Sequence, residues 1–108
     1  MTIIGYNEIL DHSLTFLKDD FTELWIIAKK IQDLNPEYSS TEVLEATKII
    51  AADLVTNHNA ALVDTEAVKP IIKPTSETIE ILNKHLDQFD KIPSIGDGLW
   101  LTIEYKSA

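Results

Sequence analysis

The sequence contains no cysteine and no arginine, and its nine basic residues are all lysines. Without cysteine the chain can form no disulfide, thiolate metal site or thiol nucleophile. Without arginine it lacks the side chain that binds guanine edges and phosphates through paired hydrogen bonds. Its only glycines are Gly5, Gly96 and Gly98, and this spacing excludes a glycine-rich loop that cradles phosphates.

Long apolar runs are also missing. No run approaches the ~20 residues that cross a bilayer, and the first residues show no basic region followed by an apolar stretch. We therefore expect a cytoplasmic protein that does not enter the membrane. A length of 108 residues with 44% apolar residues predicts a single globular domain spanning residues 1–108.

The net charge is strongly negative, because 18 acidic residues outnumber the lysines and give −9. Such a surface repels nucleic acid and anionic membranes unless the lysines gather on one face. The charge therefore favours a protein partner with a basic or neutral surface, and nucleic acid is an unfavourable partner.

Apolar residues recur with helical spacing in the first half of the chain, which predicts helices near 6–18 and 20–34. In the second helix we expect Asp20 to be the N-cap and Pro36 to end the helix. The spacing of its apolar residues places Trp25 in the core. The residues that predict the buried face are Phe21, Leu24, Trp25, Ala28 and Ile31.

A third helix, over 39–58, is predicted by the capping-box sequence Ser39-Ser40-Thr41-Glu42, with Asn57 or Asn59 closing it in the left-handed conformation. Residues 60–64 and 70–73 then predict a small β-hairpin. Thr75 is expected to cap a fourth helix, and 99–105 is expected to form a closing strand.

Together these elements predict a helix-rich α+β fold. The core is a winged-helix-like set of three helices with a small antiparallel β-hairpin, to which a C-terminal helix and a closing strand are added. In that fold the helix over 39–58 would enter the major groove of DNA. It carries Glu42, Glu45 and Asp53 against one lysine, Lys48, which argues against DNA binding.

No catalytic or cofactor motif is present, so we expect a protein that is not an enzyme and needs no cofactor. The three histidines, His12, His58 and His85, lack the spacing of metal ligands. Glu8 and His12 lie four residues apart and could share a helix face, but surface charge pairing is the commoner meaning of that spacing. We therefore predict no metal site.

Near the C-terminus, Gly96-Asp97-Gly98 predicts a tight turn before the closing strand. Trp100 points to the side of that strand opposite Leu99 and Leu101. It either packs beneath the helices or anchors a partner, because tryptophan is enriched both in cores and in interfaces.

Three segments together resemble a family of small, acidic bacterial proteins. They are Asp19-Asp20-Phe21-Thr22-Glu23-Leu24-Trp25, the acidic helix 39–58, and Ile95-Gly96-Asp97-Gly98-Leu99-Trp100-Leu101. The resemblance spans residues 14 to 103 and includes a C-terminal I-G-D-x-x-W-[LF] motif. It implies a cytoplasmic, single-domain bacterial protein. That family has no established activity, so the resemblance assigns no functional residue.

Two functional hypotheses follow. The first is a non-enzymatic protein-interaction module, in one version an immunity- or antitoxin-like protein that covers a basic partner. Its candidate surface comprises Glu42, Glu45, Asp53, Asp97 and Trp100. The alternative is a winged-helix transcriptional regulator, which requires Lys29, Lys30, Lys69 and Lys73 to share one face. A homodimer that covers an exposed edge strand is a further arrangement compatible with the sequence.

Overall fold

The computed structural model describes residues 2–19, 22–64, 69–71, 74–88 and 100–102. Helices and short strands follow one another in an order close to the predicted one. The elements are α1 Tyr6–Asp19, β1 Thr22–Glu23, α2 Leu24–Leu34, α3 Ser40–Asn57, β2 Ala61–Asp64, β3 Lys69–Ile71, α4 Thr75–Leu86 and β4 Trp100–Thr102.

Helix α3 begins and ends as the sequence predicts. The backbone N–H of Glu42 donates to the Ser39 side chain, and the Glu42 carboxylate accepts from the Ser39 backbone N–H, so both halves of the capping box form. At the other end, Asn59 has a φ of 59°, in the left-handed region. The Ala60 backbone N–H reaches back to the Leu54 carbonyl at 3.0 Å and closes the last turn.

The start of α2 differs from the prediction. The helix begins at Leu24 and not near residue 20, because Thr22 and Glu23 form strand β1. Glu23 takes the N-cap position that the sequence predicts for Asp20, in an extended conformation, and Asp20 lies outside the described residues. A smaller correction applies to α4, where Pro74 takes the N-cap position and Thr75 is the first helical residue.

The four strands form one small antiparallel sheet in the order β1-β4-β2-β3. The predicted hairpin is confirmed as β2 and β3, and β4 pairs with β2 as a closing strand. Of the predicted strand 99–105, only Trp100–Thr102 lies within the described residues. The edges are β1, of two residues, and β3, where Pro70 lacks the N–H that an added strand would need.

Helix α3 lies at the centre of the core and packs against both α2 and α4. Its buried side chains are Val43, Leu44, Ala46, Thr47, Ile50, Ala51, Leu54 and Val55. Thr47 and Ser13 are buried polar residues whose hydroxyls donate to the carbonyls of Val43 and Ile9, four residues earlier in their helices. These bonds satisfy the hydroxyls, so burying them costs little.

The structure confirms the helix-rich α+β class and the winged-helix-like arrangement. Helices α2 and α3 occupy the helix-turn-helix positions, β2 and β3 form the wing, and α4 and β4 are the added elements. Among the described residues, no helix has the length and apolar character needed to span a membrane.

Candidate functional site

Three of the predicted surface residues lie on one face of α3. Glu42, Glu45 and Asp53 fall three and eight residues apart, and Ile49 lies between Glu45 and Asp53 on the same face. Glu42 and Glu45 are exposed, and Ile49 is an apolar side chain that is 42% exposed. We call these four residues the α3 stripe; sequence reasoning found its charges and missed Ile49.

Lys48 is the only lysine on α3, and its positive charge is shared between two carboxylates. Its Nζ lies 3.1 Å from Glu45 Oε1 and also pairs with Asp87 beyond the end of α4. The hydrogen bond to Asp87 is the main cause that raises the pKa of Lys48, and burial opposes it. Because this ammonium already faces Glu45 and Asp87, it offers little to an incoming phosphate.

Asp53, at the end of the α3 stripe, ties α3 to α1. Its carboxylate accepts a hydrogen bond from Tyr6 Oη at 2.6 Å and another from Asn57 Nδ2 at 2.7 Å, while His58 Nε2 lies 3.9 Å away. The bonds from Asn57 and Tyr6 lower the pKa of Asp53, with burial acting against them. Asp53 therefore contributes negative charge to the stripe and also stabilises the contact between the two helices.

Tyr6 should make stability depend on pH in alkaline solution. Burial, followed by the hydrogen bond to Asp53, raises the pKa of Tyr6 from 10.0 to about 12. The stabilising contribution is therefore fully present below pH 10.0 and is lost as the pH rises towards about 12. Tyr6→Phe should lower the free energy of unfolding at pH 7 by about 1.5 kcal/mol and make its decline between these pH values shallower.

Urea unfolding at a series of pH values measures this effect. Tyr38→Phe is the matched control, because the Tyr38 hydroxyl donates to the neutral carbonyl of Thr2 and not to a carboxylate. An unchanged alkaline decline in Tyr6→Phe would show that the Tyr6–Asp53 bond does not couple to folding.

The other predicted surface residues do not join the α3 stripe through any element the structure describes. Trp100 lies on β4, opposite Glu23 of β1 and Val63 of β2, and is half-buried. Asp97 and the predicted turn Gly96–Gly98 lie outside the described residues. The candidate surface that the structure describes therefore consists of the α3 stripe.

The four lysines that the DNA-binding alternative requires are only partly described. Lys29 Nζ lies 3.2 Å from Asp33 Oδ1, and Lys30 Nζ lies 3.5 Å from Glu8 Oε2. Lys69 is on β3, and only its backbone is described; Lys73 lies outside the described residues. The two described ammonium groups thus each face a carboxylate.

A groove between α1 and α2 is the feature that sequence reasoning missed. Its volume is about 280 Å³, and its lining residues are His12, Phe16, Trp25, Ile26, Lys29, Lys30 and Asp33. Trp25 is half-buried in this groove, so the prediction that it lies in the core is wrong; Ile27 takes the buried position on α2. In the sequence, the groove could have been indicated by two pairs of residues with i, i+4 spacing, His12/Phe16 and Trp25/Lys29, which line it.

Glu8 and His12, which lie four residues apart on α1, have other neighbours in the structure. Glu8 pairs with Lys30, and among the described residues no group of three or more histidines and carboxylates could hold an ion. Burial and the nearby Lys30 ammonium lower the pKa of His12, with Asp33 and Glu8 opposing them, so its imidazole is neutral at pH 7.

No protein-family model, curated protein sequence or solved structure matches this chain. The resemblance to small acidic bacterial proteins therefore stays a prediction, and the function has to be argued from the geometry of these residues.

Proposed function

We propose that the protein is a non-enzymatic binding module whose α3 stripe docks against a basic surface of a protein partner. The observation that carries the proposal is an exposed apolar side chain, Ile49, with carboxylates of Glu45 and Asp53 on either side of it along the helix. A stable interface combines an apolar anchor with surrounding polar groups that keep water out. The stripe has both parts on one rigid helix.

Charge supports a basic partner. Among the described residues around the stripe, the carboxylates of Glu42, Glu45, Asp53 and Asp87 outnumber the ammonium of Lys48. Complementary charge speeds association and disfavours partners of the wrong sign. The net charge of −9 over the whole chain acts in the same direction.

The winged-helix order of elements favours the alternative, a transcriptional regulator that inserts α3 into the major groove. That docking would bring Glu42 and Glu45 towards phosphates, which are normally contacted by cations. We therefore expect no gel shift with duplex DNA even at about 50 mM salt, where phosphate contacts are strongest. A shift that disappears when salt is added would favour the alternative.

The test begins with the tagged full chain as bait in native lysate, at about 50 mM and about 500 mM salt, because screening weakens exposed charge pairs. We expect one protein recovered in stoichiometric amount at low salt and less of it at high salt. Its affinity for purified variants then decides where it binds. Failure to recover any stoichiometric protein at either salt would contradict the proposal.

The decisive variant combines Glu42→Gln, Glu45→Gln and Ile49→Ala. Glutamine at position 42 keeps the capping box, so α3 should still form. Glu77→Gln with Glu80→Gln is the matched control, because it removes two exposed carboxylates from α4. We expect the stripe variant to lose about tenfold or more in affinity and the control to change little. Equal losses in both would contradict docking at the stripe.

A further inference from the structure

We propose that the groove between α1 and α2 binds a small aromatic carboxylate. This site lies on different residues from the α3 stripe, and the inference does not depend on the proposed function. Three observations carry it: aromatic walls, a volume that suits a ligand of one ring, and the ammonium groups of Lys29 and Lys30 among the lining residues.

Three rings line the groove. His12 and Phe16, one turn apart on α1, meet edge to face with centroids 5.1 Å apart, and Trp25 contributes its indole from α2. The Trp25 Nε1–H donates to the Glu23 carboxylate, so the polar edge of this indole already has an acceptor. Such ring-lined walls favour stacked or edge-on contact with an aromatic ligand.

The size of the groove limits the ligand. Its volume of about 280 Å³ is just below the range of pockets that hold drug-sized molecules. It is therefore suited to one ring with a short substituent, and too small to enclose a nucleotide or a folded peptide.

Two lysines of the groove offer cations to a carboxylate substituent. Lys29 and Lys30 line the groove together with one carboxylate, Asp33, and the Glu8 carboxylate lies 3.5 Å from Lys30 Nζ. A ligand carboxylate therefore has to replace Asp33 or Glu8 as the partner of one of these lysines. The side chains of Lys29 and Asp33 are 62% and 53% exposed. An exposed ion pair of this kind contributes little, so Lys29 can exchange Asp33 for a ligand carboxylate at small cost.

Lys30 is the better-placed cation. Its side chain is 26% exposed, and its Nζ lies 3.5 Å from Glu8, which is longer than a good hydrogen bond. A ligand carboxylate that approaches more closely would gain a charge-assisted bond in a partly desolvated position. We therefore assign Lys30 the main contact to the carboxylate and Phe16 and Trp25 the main contacts to the ring.

Phenylacetate is the probe for the test, with acetate as the analogue that lacks the ring and phenylacetamide as the analogue that lacks the charge. Trp100→Phe leaves Trp25 as the sole tryptophan, so its fluorescence reports on the groove. Calorimetry on the unaltered chain provides a second readout that does not depend on this variant. We expect saturable binding of phenylacetate with Kd of about 1 mM or lower, and at least about tenfold weaker binding of both analogues.

Two variants locate the site. Lys30→Gln and Phe16→Ala should each weaken phenylacetate binding about tenfold. Lys84→Gln should leave it unchanged, because Lys84 is an exposed α4 lysine that pairs with Glu80. Circular dichroism verifies that each variant remains folded. Absence of saturable binding up to about 10 mM, equal binding of phenylacetamide, or equal losses in Lys30→Gln and Lys84→Gln would each overturn the proposal.

Discussion

Ile50→Ala is expected to lower the free energy of unfolding by about 3 kcal/mol, within the range of about 2–5 kcal/mol for such truncations in cores. Ile50 is fully buried on α3, the helix that packs against both α2 and α4. Removing its outer carbons loses apolar burial and leaves a cavity that the surrounding helices can close only in part. For a domain of this size the loss is a large fraction of total stability.

The neighbouring residue provides the control for this prediction. Ile49 is 42% exposed, so Ile49→Ala removes the same atoms from a side chain that contributes little to the core. Urea unfolding should show a change of about 0.5 kcal/mol or less for Ile49→Ala. Equal effects of the two substitutions would mean that α3 is rotated about its axis relative to this structure. The α3 stripe would then not be exposed to a partner.

Asn35→Ala should lower the free energy of unfolding by about 3 kcal/mol, because it removes three side-chain hydrogen bonds, each of which contributes about 1 kcal/mol. Asn35 is 2% exposed and lies just after α2. Its Oδ1 accepts from the Ile4 backbone N–H at 3.0 Å, and its Nδ2 donates to the carbonyls of Ile4 and Ile31, each at 3.1 Å. This one side chain thus joins the N-terminal segment to the end of α2.

Gln32→Ala, an exposed substitution in the last turn of α2, is the matched control and should change stability by about 0.5 kcal/mol or less. Asn35→Asp refines the test, because aspartate keeps an acceptor for Ile4 N–H but cannot donate to the two carbonyls. In thermal unfolding, the midpoint temperature of Asn35→Asp should therefore also be lower than that of the unaltered chain. A change in Asn35→Ala as small as that of the control would show that the Asn35 bonds do not stabilise the fold.

The two proposed sites lie on the faces of α2 and α3 that do not pack into the core. Helix α2 buries Leu24, Ile27, Ala28 and Ile31, while Trp25, Ile26, Lys29, Lys30 and Asp33 line the groove. Helix α3 buries Ile50 and presents Ile49. The substitutions proposed at Phe16, Lys30, Glu42, Glu45 and Ile49 should therefore alter binding with little loss of stability, which makes the binding experiments interpretable.

Features that depend on a few neighbouring residues were predictable. The capping box of α3 requires only Ser39 and Glu42, and its left-handed end requires only Asn59, so both follow from the local sequence. The hairpin also followed from two short, partly β-branched segments, and the closing strand from an alternating one. Strand β1 did not, because Thr22 and Glu23 become a strand only by pairing with Leu101 and Trp100 at the far end of the chain.

The position of Trp25 shows the limit of periodicity. The start of α2 is apolar over a wide arc, Leu24 to Ala28, so helical spacing alone leaves open which edge of that arc is buried. Packing buries Ile27 and leaves Trp25 half-exposed beside α1. The groove exists because Trp25 lies beside α1, and no local pattern in the sequence of α2 indicates where α1 lies.

The amino-acid sequence by itself determined the charge of the protein, its helix-rich α+β class and the acidic face of α3, because composition, capping and helical spacing act over a few residues. Only the tertiary structure decided that Asp53 meets Tyr6, that Lys48 meets Asp87 and that Asn35 holds Ile4. It also decided that rings from two helices form one groove. These contacts join residues far apart in the chain, and their partners are selected by how the helices pack.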